Sequence, residues 1–390
     1  MRQLAGLVAL VLAACQTPAL PLADSDIRLS APDYVSSHPA TLGLSPAPGQ
    51  QHFTVYAPAS PDDYAYNHGA VLTVFDGRFY MQWQSSHRDE DADETRVMYA
   101  VSADGEVWGR PRILAQSRAD AVVTNGGWLS DGETLTAFLN VWPHTTLGPR
   151  HGAAEYITSP DGEAWSAPAP VLGANGQPIQ GVIEQDVRPL NANRLLTTIH
   201  IQPGLTAAPH YTDDMSGHTG WTRGEMENLP SEGDVSRELE PAWYVADDGA
   251  VIMVFRDQAT SHGTLVSESL DDGETWSRPA YSNFPDSRSK QSAGNLPDGT
   301  AFRVNNPKRS RERFPLVLSL SENGRDFSRA YALRTGLTDL PAMQFDGKYK
   351  RLGFSYPKSL VHDGHLYVAY ATNKERIELT RIPLAPLMED

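Results

Sequence analysis

From about residue 70 onward the chain is a succession of short apolar runs broken by turn residues. Examples are Ala70-Val-Leu-Thr-Val-Phe75, Thr136-Ala-Phe-Leu-Asn-Val-Trp142, Val251-Ile-Met-Val-Phe255 and Leu366-Tyr-Val-Ala-Tyr370. Each is rich in β-branched or aromatic residues and too short for a typical helix, so each predicts a strand. Asp-Gly pairs at 76–77, 131–132, 248–249, 298–299 and 363–364 punctuate them. Such pairs accept the positive φ of tight hairpin turns. No segment sustains a 3.6-residue apolar period, so the body is predicted to be all-β.

A second pattern is superposed on the strands. Ser, Asp, Gly and an aromatic residue recur in order, as Ser102-Ala-Asp104-Gly105-Glu-Val-Trp108, Ser159-Pro-Asp161-Gly162-Glu-Ala-Trp165 and Ser269-Leu-Asp271-Asp-Gly273-Glu-Thr275-Trp276. Ser321-Glu-Asn323-Gly324-Arg-Asp-Phe327 is a degenerate copy, and Asp213 to Trp221 a worn one. The aromatic residues stand at 108, 165, 221, 276 and 327, in steps of 57, 56, 55 and 51. A fixed period of this size marks a radial or stacked repeat, and four short strands per period match the blade of a β-propeller. Five boxes, with the stretches before 108 and after 327 supplying two more blades, predict a seven-bladed propeller closed by strands from both ends. Six blades is the alternative. The boxes read as structural: Asp and Ser tie down a turn, Gly takes a conformation that a Cβ resists, and the aromatic residue packs between blades.

The N-terminus has a different character. Met1-Arg2 precedes an apolar run from Leu4 to Ala14, and Leu12-Ala-Ala-Cys15 follows. The run is too short to span a bilayer as a helix and has the order of a processed signal. Leu-Ala-Ala-Cys resembles the bacterial lipobox, which implies a signal peptide over 1–14 and lipidation of Cys15, the only cysteine of the chain. Gln16 implies sorting to an outer membrane in a Gram-negative host. Residues 15–40, rich in Pro, Ala and Ser, read as a tether, and 41–390 as the propeller. The expectation is an exported, lipid-anchored monomer at the bacterial surface or in the periplasm, touching the membrane through its anchor alone.

Charge narrows the partners. The formal net charge of −16 argues against a nucleic-acid backbone. It leaves room for an anionic sugar held in a local basic pocket. The polar residues that end or follow the second apolar strand of each period fit such a pocket. They are His87, His144, His200, Arg256, Asn306 and Lys374, in steps of 57, 56, 56, 50 and 68. They predict a ring on one face with cationic and proton-transfer character. Asn67-His68, Asn125-Gly-Gly-Trp128, Glu184-Gln-Asp186, Glu240-Pro-Ala-Trp243 and Ser292-Ala-Gly-Asn295 recur similarly and would line the channel. No metal-ligand or nucleotide motif is present, so no cofactor is expected. A structural Ca²⁺ or Zn²⁺ in the channel is compatible with the sequence.

Ser269 to Trp276 is similar to the Asp-box of the sialidase superfamily. Within it the chain resembles ulvan lyase, rhamnosyl-glucuronate lyase and α-L-rhamnosidase propellers. Asn67-His68-Gly-Ala70, Phe255-Arg-Asp-Gln258, Arg313 to Ser321 and Tyr356-Pro-Lys-Ser running on to Gly364 and Asn373-Lys-Glu375 carry the resemblance. It implies β-elimination on an anionic, uronate- and rhamnose-containing polysaccharide. A base takes the C5 proton, an acid protonates the leaving oxygen, and a cation neutralises the carboxylate. His68 and His87 are assigned to proton transfer, with His144 and His200 nearby. Arg256 and Lys374 are assigned to the carboxylate, and Asn67, Asn125, Trp142 and Asn306 to further substrate contacts. The chain departs from those lyases by offering no Tyr on the second strand of the next blade and no Arg beside the next box, although Tyr156 and Arg150 are close.

Two other readings stay open. One is a hydrolase of the same fold, α-L-rhamnosidase or exo-sialidase; an α-L-rhamnosidase would work with a His or a carboxylate such as Glu184, Asp186 or Glu240. A sialidase would further need an arginine triad, a Tyr-Glu pair and an early Arg-Ile-Pro, whereas Arg381-Ile-Pro383 stands at the far end. A non-catalytic glycan-binding lipoprotein would stack sugars on Trp128, Trp142 and Trp243.

Overall fold

The computed structural model describes residues 24–389 apart from 61, 145–150, 202–204, 231–237 and 259–260. The signal peptide, Cys15 and Arg150 lie outside the described residues. Six four-stranded antiparallel units are arranged as the blades of a propeller. Their first, innermost strands are Tyr66–Phe75, Ala121–Ser130, a strand interrupted between Gly181–Ile183 and Arg188–Asn191, Glu238–Val245, Ser292–Asn295 and Phe354–His362. We number the blades 1 to 6 in that order. Blade 6 is composite: its outer strand, Gln51–Tyr56, comes from the N-terminal side and pairs antiparallel with Arg376–Pro383. Closure by both ends of the chain is therefore as expected.

The blade count is six, the alternative, and not seven. Each box follows the third strand of its own blade, as Ser102 ends Arg96–Ser102. The strands before Trp108 therefore complete blade 1 and add no further blade. Only the stretch after Phe327 supplies another.

Six apolar cores, one at each blade junction, hold the ring together. The box aromatics pack into five of them. Trp108 lies between blades 6 and 1, Trp165 between 1 and 2, Trp221 between 2 and 3, Trp276 between 3 and 4, and Phe327 between 4 and 5. Each side chain thus fills the gap toward the preceding blade, where burial of a large aromatic contributes most. In the first box, Ser102 Oγ accepts from the Gly105 N–H at 2.9 Å, and Asp104 Oδ1 accepts from those of Glu106 and Val107 at 2.8 and 2.9 Å.

The box glycine is tested most sharply at Gly162, at φ +72, where an added Cβ would stand 2.2 Å from Tyr80 Oη. Gly162→Ala is expected to cost about 2–3 kcal/mol, from the left-handed backbone and the clash together. A lowered denaturant midpoint with unchanged slope would show it.

The tether expected over 15–40 ends sooner. Ile27 is fully buried in the core between blades 4 and 5. Arg28–Leu29 pairs in parallel with Asp326–Phe327, and the Ser25 N–H donates to the Tyr281 carbonyl at 2.7 Å. From Asp24 onward the chain follows the outer wall, because Ile27 and Leu29 have an apolar slot beside Phe327 to fill. Among the described residues, no helix is long and apolar enough to cross a membrane.

Candidate active site

The inner strands are broken at a common height. Register shifts fall between His68 and Val71, Asn125 and Gly127, Leu239 and Ala242, and Ser355 and Lys358. The inner strand of blade 3 parts at Glu184–Val187. At these breaks Gly69, Gly127, Gln185, Glu240 and Tyr356 take φ values of +67, +101, +58, +51 and +55°. Positive φ is costly for a residue with a Cβ, and such residues concentrate at functional sites. A bulge re-aims the side chains around it, and five bulges at one level turn polar residues into the axial cavity. Both Glu240 and Tyr356 precede a proline, which has no N–H to leave unpaired at an interrupted ladder. Gly127 is pressed to the backbone of Gln185, 3.1 Å from where its Cβ would stand, so the Gly-Gly pair serves tight packing at the channel.

The cavity has a volume of about 630 Å³. Across it, blades 4 and 6 meet in a tyrosine–glutamate pair. Tyr356 Oη donates a very short hydrogen bond to Glu240 Oε1. Arg256 Nη1 donates to Glu240 Oε2 at 2.6 Å and to Tyr356 Oη at 3.1 Å. Burial works against charge on Glu240, but Arg256 and Lys290 outweigh it and hold the carboxyl below its usual range. Burial, and then the Glu240 charge, push the Tyr356 phenol well up. Proton loss from Tyr356 therefore needs an acceptor, and Glu240 is in place as one. Three cations surround the phenol ring: Lys290 Nζ and the Arg313 guanidinium at 5.2 Å, and Lys374 Nζ at 5.9 Å.

A second relay supports the pair. The Glu240 N–H donates to His200 Nε2 at 3.3 Å, so the other ring nitrogen, Nδ1, carries the proton toward Glu184 Oε1 at 2.8 Å. Lys290 Nζ lies 2.7 Å from Glu184 Oε2. Burial opposes ionisation of Glu184, but Lys290 and His200 overcome it and hold the carboxyl far below the usual range. Beside Tyr356, the His68 ring lies 4.1 Å away between centroids. Burial, then the charges of Lys374, Arg313, Lys290 and Arg256, hold its pKa well below 6.5, so this imidazole is neutral. Among the described residues neither ring nitrogen has a hydrogen-bond partner, and His68 lines the cavity.

The sequence-derived ring is half assembled. His68, Asn125, Trp142, His200, Arg256 and Lys374 reach the cavity wall. His87 and His144 do not: His87 is exposed and stacks on Tyr64 at 4.1 Å, and His144 is exposed 3.6 Å from Asp93. Each stands just past the end of its strand, whereas His200 and Arg256 lie within theirs, and a one-residue slip along a pleat reverses a side chain. Asn306 is buried against the Pro315 carbonyl. Asn67 is a structural knot, donating to the Tyr64 and Glu375 carbonyls and accepting from Trp83 Nε1 and Ser85 Oγ. Tyr156 stacks on His218 at 3.8 Å, away from the cavity. The residues that period-counting missed are Tyr356, Arg313, Lys290, Glu90 and Asp91. Tyr356 and Arg313 stood in segments carrying the family resemblance, and Glu240 stood among the inner-strand starts. Among the described residues, no group of three or more His, Cys, Asp or Glu is placed to hold a metal ion.

The comparisons agree with this architecture. Residues 77–368 match the BNR repeat-like domain, and the chain belongs to that family of sialidase-type β-propellers. It is similar to a solved sialidase at 19% identity and a TM-score of 0.65, over 92% of this chain and 35% of that one. The Hadza microbial sialidase Hz136 matches at 14% identity and 0.65, over 86% of this chain and 68% of that one. The intramolecular trans-sialidase from Ruminococcus gnavus, solved with oseltamivir carboxylate, matches at 13% and 0.62, over 90% and 99%. The chain spans about a third of the first of these structures. At such identities the likeness is one of fold. No curated protein sequence matches the chain.

Proposed function

We propose that this protein is a retaining glycoside hydrolase acting on a carboxylated sugar, with Tyr356 as nucleophile. The observation that carries the reading is the Tyr356–Glu240–Arg256 contact across the cavity. Tyr356 Oη attacks the anomeric carbon while its proton passes to Glu240. The glycosidic C–O bond breaks, and the leaving oxygen takes a proton from an acid. We assign that acid to Asp91, on the cavity wall. Water then attacks the glycosyl–tyrosine bond, one proton returning to Asp91 and that on Glu240 returning to the phenol. The net change is addition of water across the glycosidic bond. Arg256 and Arg313 hold the substrate carboxylate, the task that suits a guanidinium. The solved sialidases and trans-sialidase of the same fold support sialic acid as one candidate sugar.

A second reading keeps β-elimination on a uronate, and His68 favours it: a neutral imidazole beside the Tyr356 ring can accept a C5 proton. The two readings separate on one panel. Methylumbelliferyl glycosides of sialic acid and uronic acids report hydrolysis, while ulvan and rhamnosyl-glucuronate fragments report elimination by a rise in near-ultraviolet absorbance. Fluorophore release without that rise supports the hydrolase; the rise alone overturns it.

The cations also set a pH limit. Burial, and then the Arg313 charge, push Lys374 down to about 8 against the pull of Glu90. Lys374 is thus charged below pH about 8 and neutral above it. We expect KM for an anionic substrate to rise as pH increases through that value, and Lys374→Met to remove this limb of the profile. A profile unchanged by the substitution would count against a role for the Lys374 charge.

A further inference from the structure

The cavity wall carries cations that the reaction does not consume. Arg256, Lys290 and Lys374 each face a carboxylate at 2.6 to 2.7 Å. Among the described ion pairs, Arg351 has none, although it lines the same cavity. The excess continues outward. Arg311 is exposed on the loop entering Arg313, and Arg288 is half-buried between blades 4 and 5. Neither has an ion-pair partner among the described residues, and Arg288 Nε is buried without a hydrogen-bond acceptor. These guanidinium groups feel one another. After burial, Arg256 and Arg311 lower Arg288, and Arg313 and Arg311 lower Arg351. Like charges brought close together act on one another in this way, although Asp257 and Glu240 pull Arg288 in the opposite direction.

An aromatic surface borders the same cluster. Tyr349, two residues before Arg351, lines the cavity and is 61% exposed at φ +62. Arginines beside an exposed ring offer a sugar both a stacking face and a charge partner. A focused basic rim on a chain of net charge −16 selects anions locally while the rest of the surface repels them.

We propose that Arg288, Arg311 and Arg351, with Tyr349, form a second subsite for a further negatively charged sugar unit. The substrate is then an acidic oligosaccharide or polysaccharide with at least two anionic groups. This rests on reading the cavity as a sugar site, but not on the reaction performed there. One carboxylate is satisfied by Arg256 and Arg313; the outer arginines call for another.

The test uses the Tyr356→Phe chain, replaced by His68→Ala if the substrate panel shows elimination, so that ligands are held without being turned over. Binding is measured to immobilised oligosaccharides carrying zero, one or two carboxylate or sulfate groups, at several salt concentrations. Doubly charged glycans should bind at least about tenfold more tightly than singly charged ones, with a steeper loss in salt. Arg288→Ala/Arg311→Ala should erase that difference, and Tyr349→Ala should weaken both classes. Arg311 is exposed and Arg288 half-buried, and an unchanged melting temperature would confirm folding. Equal binding of singly and doubly charged glycans, a difference that survives the double substitution, or no acidic glycan bound at all overturns the subsite. If elimination replaces hydrolysis on the substrate panel, the reaction proposed for Tyr356 fails while this subsite stands.

Discussion

The Tyr356→Phe protein is expected to lose at least about 10³-fold in kcat while retaining ligand, because it keeps the ring and loses the nucleophilic oxygen. The substitution is nearly isosteric, and the ring remains between His68 and the cations that surround it. Glu240→Gln should have a smaller effect, about 10²-fold or more, since it removes the proton acceptor but leaves the phenol. The two losses should not add, because both residues serve one proton transfer. Isothermal titration with an anionic product separates chemistry from binding: affinity should change little in Tyr356→Phe. If Tyr356→Phe turns over normally on the fluorogenic glycosides, Tyr356 is not the nucleophile and the proposed mechanism is wrong.

The largest stability effect is expected at Glu184. It is buried, and its two oxygens face His200 and Lys290 at 2.8 and 2.7 Å. Replacing it by Ala leaves the Lys290 ammonium in a low-dielectric interior with, among the described residues, only Gln185 Oε1, at 2.9 Å, as a close hydrogen-bond partner. Breaking one side of a buried pair costs about 3–5 kcal/mol. The loss should appear as a lower denaturant midpoint with little change in slope. The sign in pH follows from the depressed folded-state pKa. The unfolded carboxyl titrates near about 4.3, so the stabilisation is complete above that pH and is lost as pH falls through the folded value. Wild type and Glu184→Ala should therefore converge in stability toward strong acid. A constant gap between pH 7 and pH 2 would show that the carboxylate charge is not the cause.

The blade repeat was legible because it is local: Ser, Asp, Gly and Trp act within one turn, and the turn recurs once per blade. The number of blades was less legible, since the box closes its own blade and its position alone does not say which strands belong to it. The site shows the same division. Residues set by the blade period and lying inside a strand, such as His200 and Arg256, were found. His87 and His144 share the period but stand beyond their strands, where the pleat no longer fixes direction. Glu240 stood among the recurring inner-strand starts, but Tyr356 did not, and no spacing revealed that the two form a pair. The two residues are 116 positions apart and meet only because the ring closes. The bulges that aim them leave at most a weak trace in sequence, an acidic or aromatic residue before Pro at the start of an inner strand.

The seam in blade 6 imposes a timetable on synthesis. The strand Gln51–Tyr56 leaves the ribosome early, but its partner Arg376–Pro383 is made 325 residues later, counting from Gln51 to Arg376. At about 5–20 residues per second, that is a wait of roughly 15 to 65 s. During that interval blade 1 has no neighbour on one side, and the apolar surfaces that become its junction with blade 6 face solvent. Such exposure makes a nascent chain prone to aggregation and attractive to chaperones. A chain stalled or cut between residues 363 and 375 would retain blades 1 to 5 and the inner strand of blade 6 but leave the ring open, its tyrosine and glutamate present yet free to drift apart.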